Sequence, residues 1–446
     1  MNTGPASPAS PATAADPMAE VAATSRAPLR DERGLRLPRE PYPGLRPFLD
    51  FEAALLFGRG RQVREIIERL ARTQFVAVLG GSGSGKSSLI HAGVTPELRS
   101  YGIPGAGDLW LPMVCTPGTN VAAADQAAGR HTSVARLVRR FAKLLNSRGS
   151  EAADAARLAE MADVFRQEAG FARLLEAYGG ELAVPPGPDP AEARVLFVID
   201  QFEEVFHPTN QGVDDARVLV ERVLDHFFQP HPRCHVVLTM RSEHLNDCAT
   251  FLELPDAINK SSFLVRRLDA DELREAIVGP AQRFLRLMAR LHAGRPEAAR
   301  LPEQVAFEPE VLERLLRDVM AITRDPDHLP LLQHMLARLW QAALERDDDM
   351  DALVPARVTM ADLARAVNAA RPGPASAAGA GVPEGANVLR ESVHNWPERI
   401  YLDHDAANRQ RLDSLLRRLA LKDPNTGHYS QQRIEAGAAA TLLGLP

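Results

Sequence analysis

The stretch FVAVLGGSGSGKSSLI, residues 75–90, decides which fold the sequence predicts. It opens with an apolar run, 75–79, that predicts a buried strand, and a helix is predicted from about Lys86 onward. Between them, residues 80–87 match the pattern G-x-x-x-x-G-K-[ST] in the strand-to-helix context that this pattern requires. A flexible Gly/Ser turn explains neither the lysine nor its register, so the stretch predicts a loop that holds a nucleotide phosphate.

The chemistry of such a loop gives each type of residue a role. Its glycines let the backbone curl, so that successive N–H groups point at the β-phosphate and the helix N-terminus adds its dipole. We expect Lys86 to reach the β- and γ-phosphates, and Ser87 to give its hydroxyl to Mg²⁺. The predicted phosphate-binding residues are Gly80, Gly81, Ser82, Gly83, Ser84, Gly85, Lys86, Ser87 and Ser88.

A loop of this kind needs an acidic partner for the metal at the end of a neighbouring strand. The stretch VLFVIDQFEEVF, 195–206, has an apolar run followed by Asp200, Glu203 and Glu204. We expect Asp200 to hold the Mg²⁺ shell and one glutamate to orient or deprotonate the attacking water. Within a strand, the alternation of side chains indicates which way each one points, but both glutamates lie beyond the end of the predicted strand. The sequence therefore does not decide between the two glutamates.

A further apolar run, HVVLTM at 235–240, is followed by Arg241. In doubly wound sheets, ligand contacts lie past the carboxyl ends of the strands. An arginine in that position can sense the γ-phosphate through charge-assisted hydrogen bonds, or it can serve as a surface ion-pair partner. The sequence leaves both interpretations of Arg241 open.

The alternation of strands and helices predicts an α/β fold. Continuous apolar strands separated by helical segments indicate a doubly wound parallel sheet that is covered on both faces. From about residue 264 the strand signal ends, and amphipathic helical patterns follow. The predicted strands are 75–79, 109–115, 195–199 and 235–240, and the later helices are 269–285, 308–320, 329–345, 388–401 and 406–421.

Composition and pattern divide the chain into regions. A Pro/Ala/Ser-rich start predicts a disordered tail, and a Gly/Ala/Pro-rich stretch after the helical part predicts a flexible linker. The predicted regions are a tail at 1–39, a P-loop nucleotide-binding domain at 40–263, a helical lid domain at 264–346, a linker at 347–387 and a last helical region at 388–446.

Charge, cysteines and hydropathy limit the possible partners. The net charge is −6, so no global basic field suggests a nucleic-acid partner. The 3 cysteines form no CxxC pair, which fits a reducing compartment and predicts neither a disulfide framework nor a zinc site. The start of the chain lacks the pattern of a secretory signal, and no apolar run approaches the roughly 20 residues that a membrane crossing needs. We therefore expect a cytoplasmic location without a membrane segment.

Several motifs occur together between residues 42 and 340. They are YPGLRPF, LFGR, the loop GGSGSGKSSLIHAGVTPEL, VCTPGTN, VIDQFEEVF, LTMRSEHL, RRLDADELREAIVGPA and LPLLQHMLARLW. In combination they resemble the STAND class of signal-transduction P-loop NTPases, which is similar to AAA+ and NACHT ATPases. The resemblance is closest to the first of the novel STAND groups.

That resemblance implies a nucleotide-binding domain, a helical lid and a winged-helix-like domain that together clamp ATP or ADP. It implies that Phe57, Gly58 and Arg59 lie near the adenine, that Arg241 is the sensor arginine, and that Pro330 touches the nucleotide. The winged-helix-like region would span 388–446, with His394 as a candidate phosphate contact. This region would be partial, because the chain stops where a wing and a region of repeats are expected.

The same resemblance implies a function. It implies an ATPase of low turnover that rests closed with ADP, and that opens and forms a homo-oligomer when ATP replaces ADP. The protein trigger and effector are not identified by any motif. Alternatives are an ATPase or phosphotransferase that turns over continuously and a nucleotide-bound scaffold without hydrolysis. The presence of Lys86, Ser87, Asp200 and the paired glutamates argues against the scaffold.

Overall fold

The computed structural model describes residues 29–30, 34–103, 107–117, 132–145, 151–206, 213–322, 325, 327–346, 353–368, 381–382, 385–393, 406–422 and 429–431. Most of the predicted tail and the candidate His394 lie outside these segments. Within the tail, Leu29–Arg30 pairs antiparallel with Arg36–Leu37.

The described segments form strands and helices, numbered β and α in chain order. The strands are β1 (Leu29–Arg30), β2 (Arg36–Leu37), β3 (Phe75–Gly80), β4 (Trp110–Cys115), β5 (Arg194–Ile199), β6 (Cys234–Arg241), β7 (Ser262–Leu264), β8 (Ala306–Phe307), β9 (Arg357–Val358), β10 (Ala420–Lys422) and β11 (Tyr429–Gln431). The helices are α1 (Gly60–Thr73), α2 (86–101), α3 (Ser133–Ala142), α4 (Glu151–Arg166), α5 (Gly170–Tyr178), α6 (Val213–Phe228), α7 (Leu254–Lys260), α8 (Ala270–Leu291), α9 (Pro309–Ala321), α10 (His328–Arg346), α11 (Met360–Asn368), α12 (388–393) and α13 (Ala406–Leu419).

The central sheet is parallel and has the strand order β4-β5-β6-β3-β7. Alternate residues of β3 pack on opposite faces, because side chains along a strand alternate in direction. Ala77 and Leu79 join a core with α3, α4, α5 and α6. Val76 and Val78 join a second core with α1 and α2. The predicted doubly wound parallel sheet is confirmed, and each of the four predicted strands lies within about one residue of its predicted bounds.

Strand β7 is absent from the sequence prediction. It pairs with Ala77–Leu79 of β3 at the edge of the sheet. Only Phe263 of its three residues is buried, and the apolar run 263–265 is too short to predict a strand. Its pairing with β3, rather than its own pattern, makes it a strand.

The helical lid has its own apolar core, formed by α8, α9, α10 and α11. Trp340 of α10 is fully buried at its centre, with its ring edge-on to Phe284 and to Tyr42. Tyr42 belongs to the segment YPGLRPF, so this segment is anchored in the lid. The helical lid that the sequence predicts is present.

The linker predicted over 347–387 differs from the structure. Its described part contains β9 and α11, and Leu363 and Val367 of α11 are buried in the lid core. Asp362 at the start of α11 is fully buried and forms an ion pair of 2.8 Å with Arg346 of α10. The Gly/Ala-rich composition that predicts a linker applies only to the part that follows α11.

The last region, 388–446, is described only in part. Helix α12 begins at Val388, whose side chain is buried in the lid core, and α13 is followed by the antiparallel pair β10 and β11. The winged-helix-like domain stays a prediction. None of the helices in the described segments combines the length and the apolar composition that a membrane-spanning helix needs.

Two buried histidines, His226 at the end of α6 and His235 at the start of β6, lie at the end of the sheet opposite to the phosphate loop. Burial lowers the pKa of His226 to about 4, although its contact with the Gln74 carbonyl opposes this shift. Burial lowers the pKa of His235 to about 3, and the charge of a protonated His226 adds to the effect. His235 packs edge-on against Trp110 at 4.6 Å. Both side chains are therefore neutral in the folded protein at mildly acidic pH.

We expect the free energy of unfolding to fall as pH decreases from about 6.5 to about 3. The unfolded chain binds protons on both histidines below their ordinary pKa, whereas the folded chain does not, so acid favours the unfolded state. At pH 5 the loss is about 4 kcal/mol, measured by urea unfolding at pH 7 and pH 5. His235→Phe keeps a ring against Trp110 and should remove about half of this loss. An unchanged pH dependence in that variant would contradict the assignment.

Candidate nucleotide-binding site

The loop between β3 and α2 has the backbone that the glycine pattern predicts. Gly83 and Gly85 have φ values of 67° and 86°, in the left-handed region that side chains with a Cβ rarely adopt. A Cβ on Gly80 would lie 2.8 Å from Ser84 Oγ. The turn therefore needs glycine at 83 and 85, and it closes tightly over Gly80.

Lys86 folds back over this loop. Its Nζ donates hydrogen bonds to the carbonyl oxygens of Gly80 and Gly81, both at 2.8 Å. Burial lowers the pKa of Lys86, and the nearby carboxylate of Glu203 is the strongest opposing influence. The ammonium thus lies at the mouth of the loop, where a phosphate oxygen can compete with the two carbonyls.

Asp200 follows β5 and meets the start of α2. Ser87 Oγ donates to Asp200 Oδ1 at 3.1 Å, and the Thr239 hydroxyl donates to the same oxygen. Burial raises the pKa of Asp200, but contacts from His91, Thr239 and Ser87 outweigh it, so the net pKa is below its ordinary value. The structure brings together Ser87 and Asp200, which are 113 residues apart in the sequence.

The oxygen donors of this pair suit Mg²⁺, which prefers one or two carboxylates together with hydroxyl, phosphate and water oxygens. In the described segments, this site included, no group of three or more His, Cys, Asp or Glu side chains is arranged to hold a metal ion. A cation at Ser87 and Asp200 would therefore take its remaining ligands from nucleotide oxygens and water.

Glu203 and Arg241 lie together at the carboxyl edge of the sheet. Arg241 Nε is 3.2 Å from Glu203 Oε1, and the backbone N–H of Arg241 donates to Glu203 Oε2 at 3.3 Å. The Glu203 side chain is 9% exposed, against 45% for Arg241. Glu203 is also the charge that most strongly opposes the lowering of the Lys86 pKa by burial. The geometry therefore favours Glu203 over Glu204 as the carboxylate that faces the phosphate loop.

Three residues at this edge carry no role in the sequence prediction. Thr239 interrupts the apolar run of β6, and its hydroxyl donates to Asp200 and accepts from the backbone N–H of Gln201 at 3.1 Å. Gln201 has a left-handed φ of 58°, which turns the chain directly after Asp200. His91 of α2 approaches Asp200 from the other side. A polar residue inside an apolar run was the available signal for Thr239.

The segment Phe57, Gly58 and Arg59 lies between the phosphate loop and the lid. Arg59 is 5% exposed and donates to the carbonyl oxygens of Ser84 at 2.8 Å and Arg266 at 2.9 Å. Burial lowers the pKa of Arg59 to about 10, opposed by the charge of Glu272.

The neighbours of Arg59 pack closely on α8. A Cβ on Gly58 would lie 2.4 Å from the carbonyl oxygen of Glu272, and one on Gly279 would lie 2.5 Å from Phe57 Cδ1. The guanidinium of Arg59 contacts the loop backbone itself, and the predicted adenine contacts of these residues stay predictions.

The remaining predicted residues lie around the same loop. Pro330 is in the first turn of α10, and a Cβ on Gly85 would lie 3.9 Å from Cδ1 of the adjacent Leu329. Ser88 Oγ accepts a hydrogen bond from the backbone N–H of Phe48 at 3.1 Å. Ser88 thus contacts the segment YPGLRPF, while the N-terminus of α10 approaches the loop.

The family model described as Novel STAND NTPase 1 matches residues 41–293. No curated protein is significantly similar in sequence. Among solved structures, the Saccharomyces cerevisiae Hsp104:casein complex is similar to this protein with 14% sequence identity and a TM-score of 0.35. The matched region covers 66% of this chain and 38% of the Hsp104 chain. The chain thus spans well under half of Hsp104.

Two archaeal structures are similar over longer parts of the chain. The Walker-type ATPase of Pyrococcus abyssi has 15% sequence identity and a TM-score of 0.33, and the matched region covers 90% of this chain and 99% of the ATPase chain. The Aeropyrum pernix ORC2 protein, in ADPNP–ADP complexes, has 14% sequence identity and a TM-score of 0.37, and the matched region covers 86% of this chain and 92% of the ORC2 chain.

Proposed function

Because this chain belongs to the Novel STAND NTPase 1 family, we propose that it is an ATP-binding switch that hydrolyses its nucleotide slowly and signals through its domain arrangement. The observation that carries this proposal is the direct contact between phosphate loop and lid. One buried guanidinium, that of Arg59, bonds both the loop carbonyl of Ser84 and the carbonyl of Arg266, next to the first lid helix.

A second connection supports coupling between loop and lid. In the segment YPGLRPF, the Tyr42 hydroxyl donates to the Ile277 carbonyl of α8, and the Phe48 N–H donates to Ser88 Oγ of α2. A ligand shifts a two-state equilibrium only through its different affinity for the two states. The γ-phosphate and its Mg²⁺ would supply that difference here, because the loop they contact is bonded to the lid.

In this proposal the residues at the edge of the sheet carry the chemistry. The loop N–H groups and Lys86 bind the phosphates, while Ser87 and Asp200 hold the Mg²⁺ that neutralises developing charge. Glu203 orients and deprotonates the attacking water. Glu203 is ion-paired with Arg241, which holds its carboxylate at the edge of the sheet. The low turnover is taken from family membership.

Oligomerisation and an unidentified protein trigger complete the proposal. Both rest on family membership, and the exchange of ADP for ATP is the step that would expose an assembly surface. A continuously turning-over ATPase and a scaffold without hydrolysis are the competing functions.

Three measurements on the purified protein separate these functions. We expect nucleotide released by denaturation to be ADP, and the mass in solution to rise when ATP and Mg²⁺ replace it. Turnover should stay below about 0.01 per second, near the range of intrinsic rates of switch GTPases. Rapid hydrolysis at constant mass would instead identify a continuous ATPase, and bound nucleotide without hydrolysis or mass change would identify a scaffold.

A further inference from the structure

His91 is a buried polar residue on the phosphate-loop helix that has no role in the proposed switch. It is 8% exposed and belongs to the π-helical segment Leu89–Val94 of α2. It follows Ser87 by four residues, so both side chains lie on the same face of the helix. π-Helical turns within α-helices occur often at functional sites.

The imidazole of His91 faces Asp200. Its Nε2 lies 3.2 Å from Asp200 Oδ2, within ion-pair distance, and this buried nitrogen has no hydrogen-bond partner among the described residues. Asp200 Oδ1 accepts from Ser87 and Thr239. The two oxygens of the Asp200 carboxylate thus have different neighbours: two hydroxyls contact Oδ1, and the His91 imidazole faces Oδ2.

The backbone of His91 is bonded within α2, and its side chain is shielded from water. The Thr95 hydroxyl donates to the His91 carbonyl at 2.7 Å, one turn along α2. The side chains of His91 and Asp200 are only 10% and 5% exposed, so water competes little for either group. A buried carboxylate needs donors on both oxygens, and groups bonded to a metal-binding carboxylate fix its orientation.

Resting on the proposed function, we propose that His91 is a positioning residue for the Mg²⁺ site. In this proposal the 3.2 Å contact between His91 Nε2 and Asp200 Oδ2 closes to a hydrogen bond donated by the imidazole. That bond fixes the carboxylate so that Oδ1, beside Ser87, is presented to the cation. His91 acts through Asp200 and touches neither the nucleotide nor the metal. Its loss would weaken Mg²⁺ binding while leaving the metal-free affinity for nucleotide unchanged.

The test compares two variants of similar length in the full chain. His91→Met has no donor, whereas His91→Gln keeps an N–H near the position of Nε2. A fluorescent ADP analogue is first titrated in EDTA, which gives its dissociation constant without metal. Mg²⁺ is then titrated at a fixed concentration of the analogue, and the Mg²⁺ concentration at half of the full change in analogue binding is the Mg²⁺ midpoint. We expect His91→Met to raise the Mg²⁺ midpoint about tenfold, with His91→Gln within about threefold of wild type. The dissociation constant in EDTA should be the same in all three proteins.

The outcomes separate this inference from the function on which it rests. Equal Mg²⁺ midpoints in wild type and His91→Met overturn the positioning role alone. An equal loss of affinity with and without Mg²⁺ also overturns it, because His91 would then support the whole loop. Absence of nucleotide binding by the wild type overturns both proposals. If His91→Met does not fold, as judged by thermal unfolding, His91→Ala takes its place with the same expected shift.

Discussion

Replacement of Lys86 by alanine is expected to weaken nucleotide binding by at least about 100-fold. The ammonium lies at the mouth of the phosphate loop, 2.8 Å from two loop carbonyl oxygens. A bound phosphate would gain charge-assisted hydrogen bonds from it, which are about twice as strong as neutral ones. Alanine removes these bonds and leaves the loop carbonyls of Gly80 and Gly81 facing the anion. Equilibrium titration with a fluorescent ADP analogue measures the loss.

Lys143 provides a matched control. It is exposed directly after α3, so Lys143→Ala removes the same charge without touching the loop. This variant should bind nucleotide as the wild type does. If Lys86→Ala binds as tightly as Lys143→Ala, the phosphates do not lie in this loop, and the assignment of residues 80–88 is wrong.

Replacement of Glu203 by glutamine is expected to slow ATP hydrolysis by about 10²- to 10⁴-fold. Glutamine keeps the shape of the side chain but cannot take a proton from water. The ion pair with the half-exposed Arg241 contributes little to stability, so the fold should tolerate the change. Single-turnover hydrolysis of bound ATP measures the rate, and ATP affinity should stay within about threefold of wild type.

The neighbouring Glu204 makes this prediction specific. Glu204→Gln carries the same chemical change one residue along the 3₁₀ turn Phe202–Phe206, and should slow hydrolysis by less than about tenfold. The opposite ranking of the two variants would make Glu204 the base. Glu203→Gln loaded with ATP should also show the larger particle, because the proposed switch would then remain in its ATP state.

Arg59 gives the segment that precedes α1 a contact that the sequence does not predict. The family resemblance implies that this segment lies near the adenine, which stays a prediction, and in the structure the guanidinium of Arg59 donates to the carbonyls of Ser84 and Arg266. A buried arginine that bonds two backbone segments holds them in fixed register. Arg59 therefore joins the phosphate loop to the segment that leads into the first helix of the lid.

Much of the fold follows from the sequence because its signals are local. The core strands β3, β5 and β6 are buried on both faces, so they appear as continuous apolar runs. The phosphate loop is a short motif whose glycines are required at their own positions, as the left-handed φ values of Gly83 and Gly85 confirm. Asp200 is predictable in the same way, since it directly follows an apolar strand.

Only the tertiary structure decides the features that depend on distant partners. Strand β7 is a strand because it pairs with β3, and α11 folds because its apolar face is covered by the lid core. Glu203, rather than Glu204, is identified as the carboxylate facing the phosphate loop because it contacts Arg241, which lies at the end of the neighbouring strand β6. His91 and Arg59 acquire their contacts from residues more than one hundred positions away, at Asp200 and Arg266. Local periodicity reports which face of an element is buried, but it carries no information on which distant side chain lies against that face.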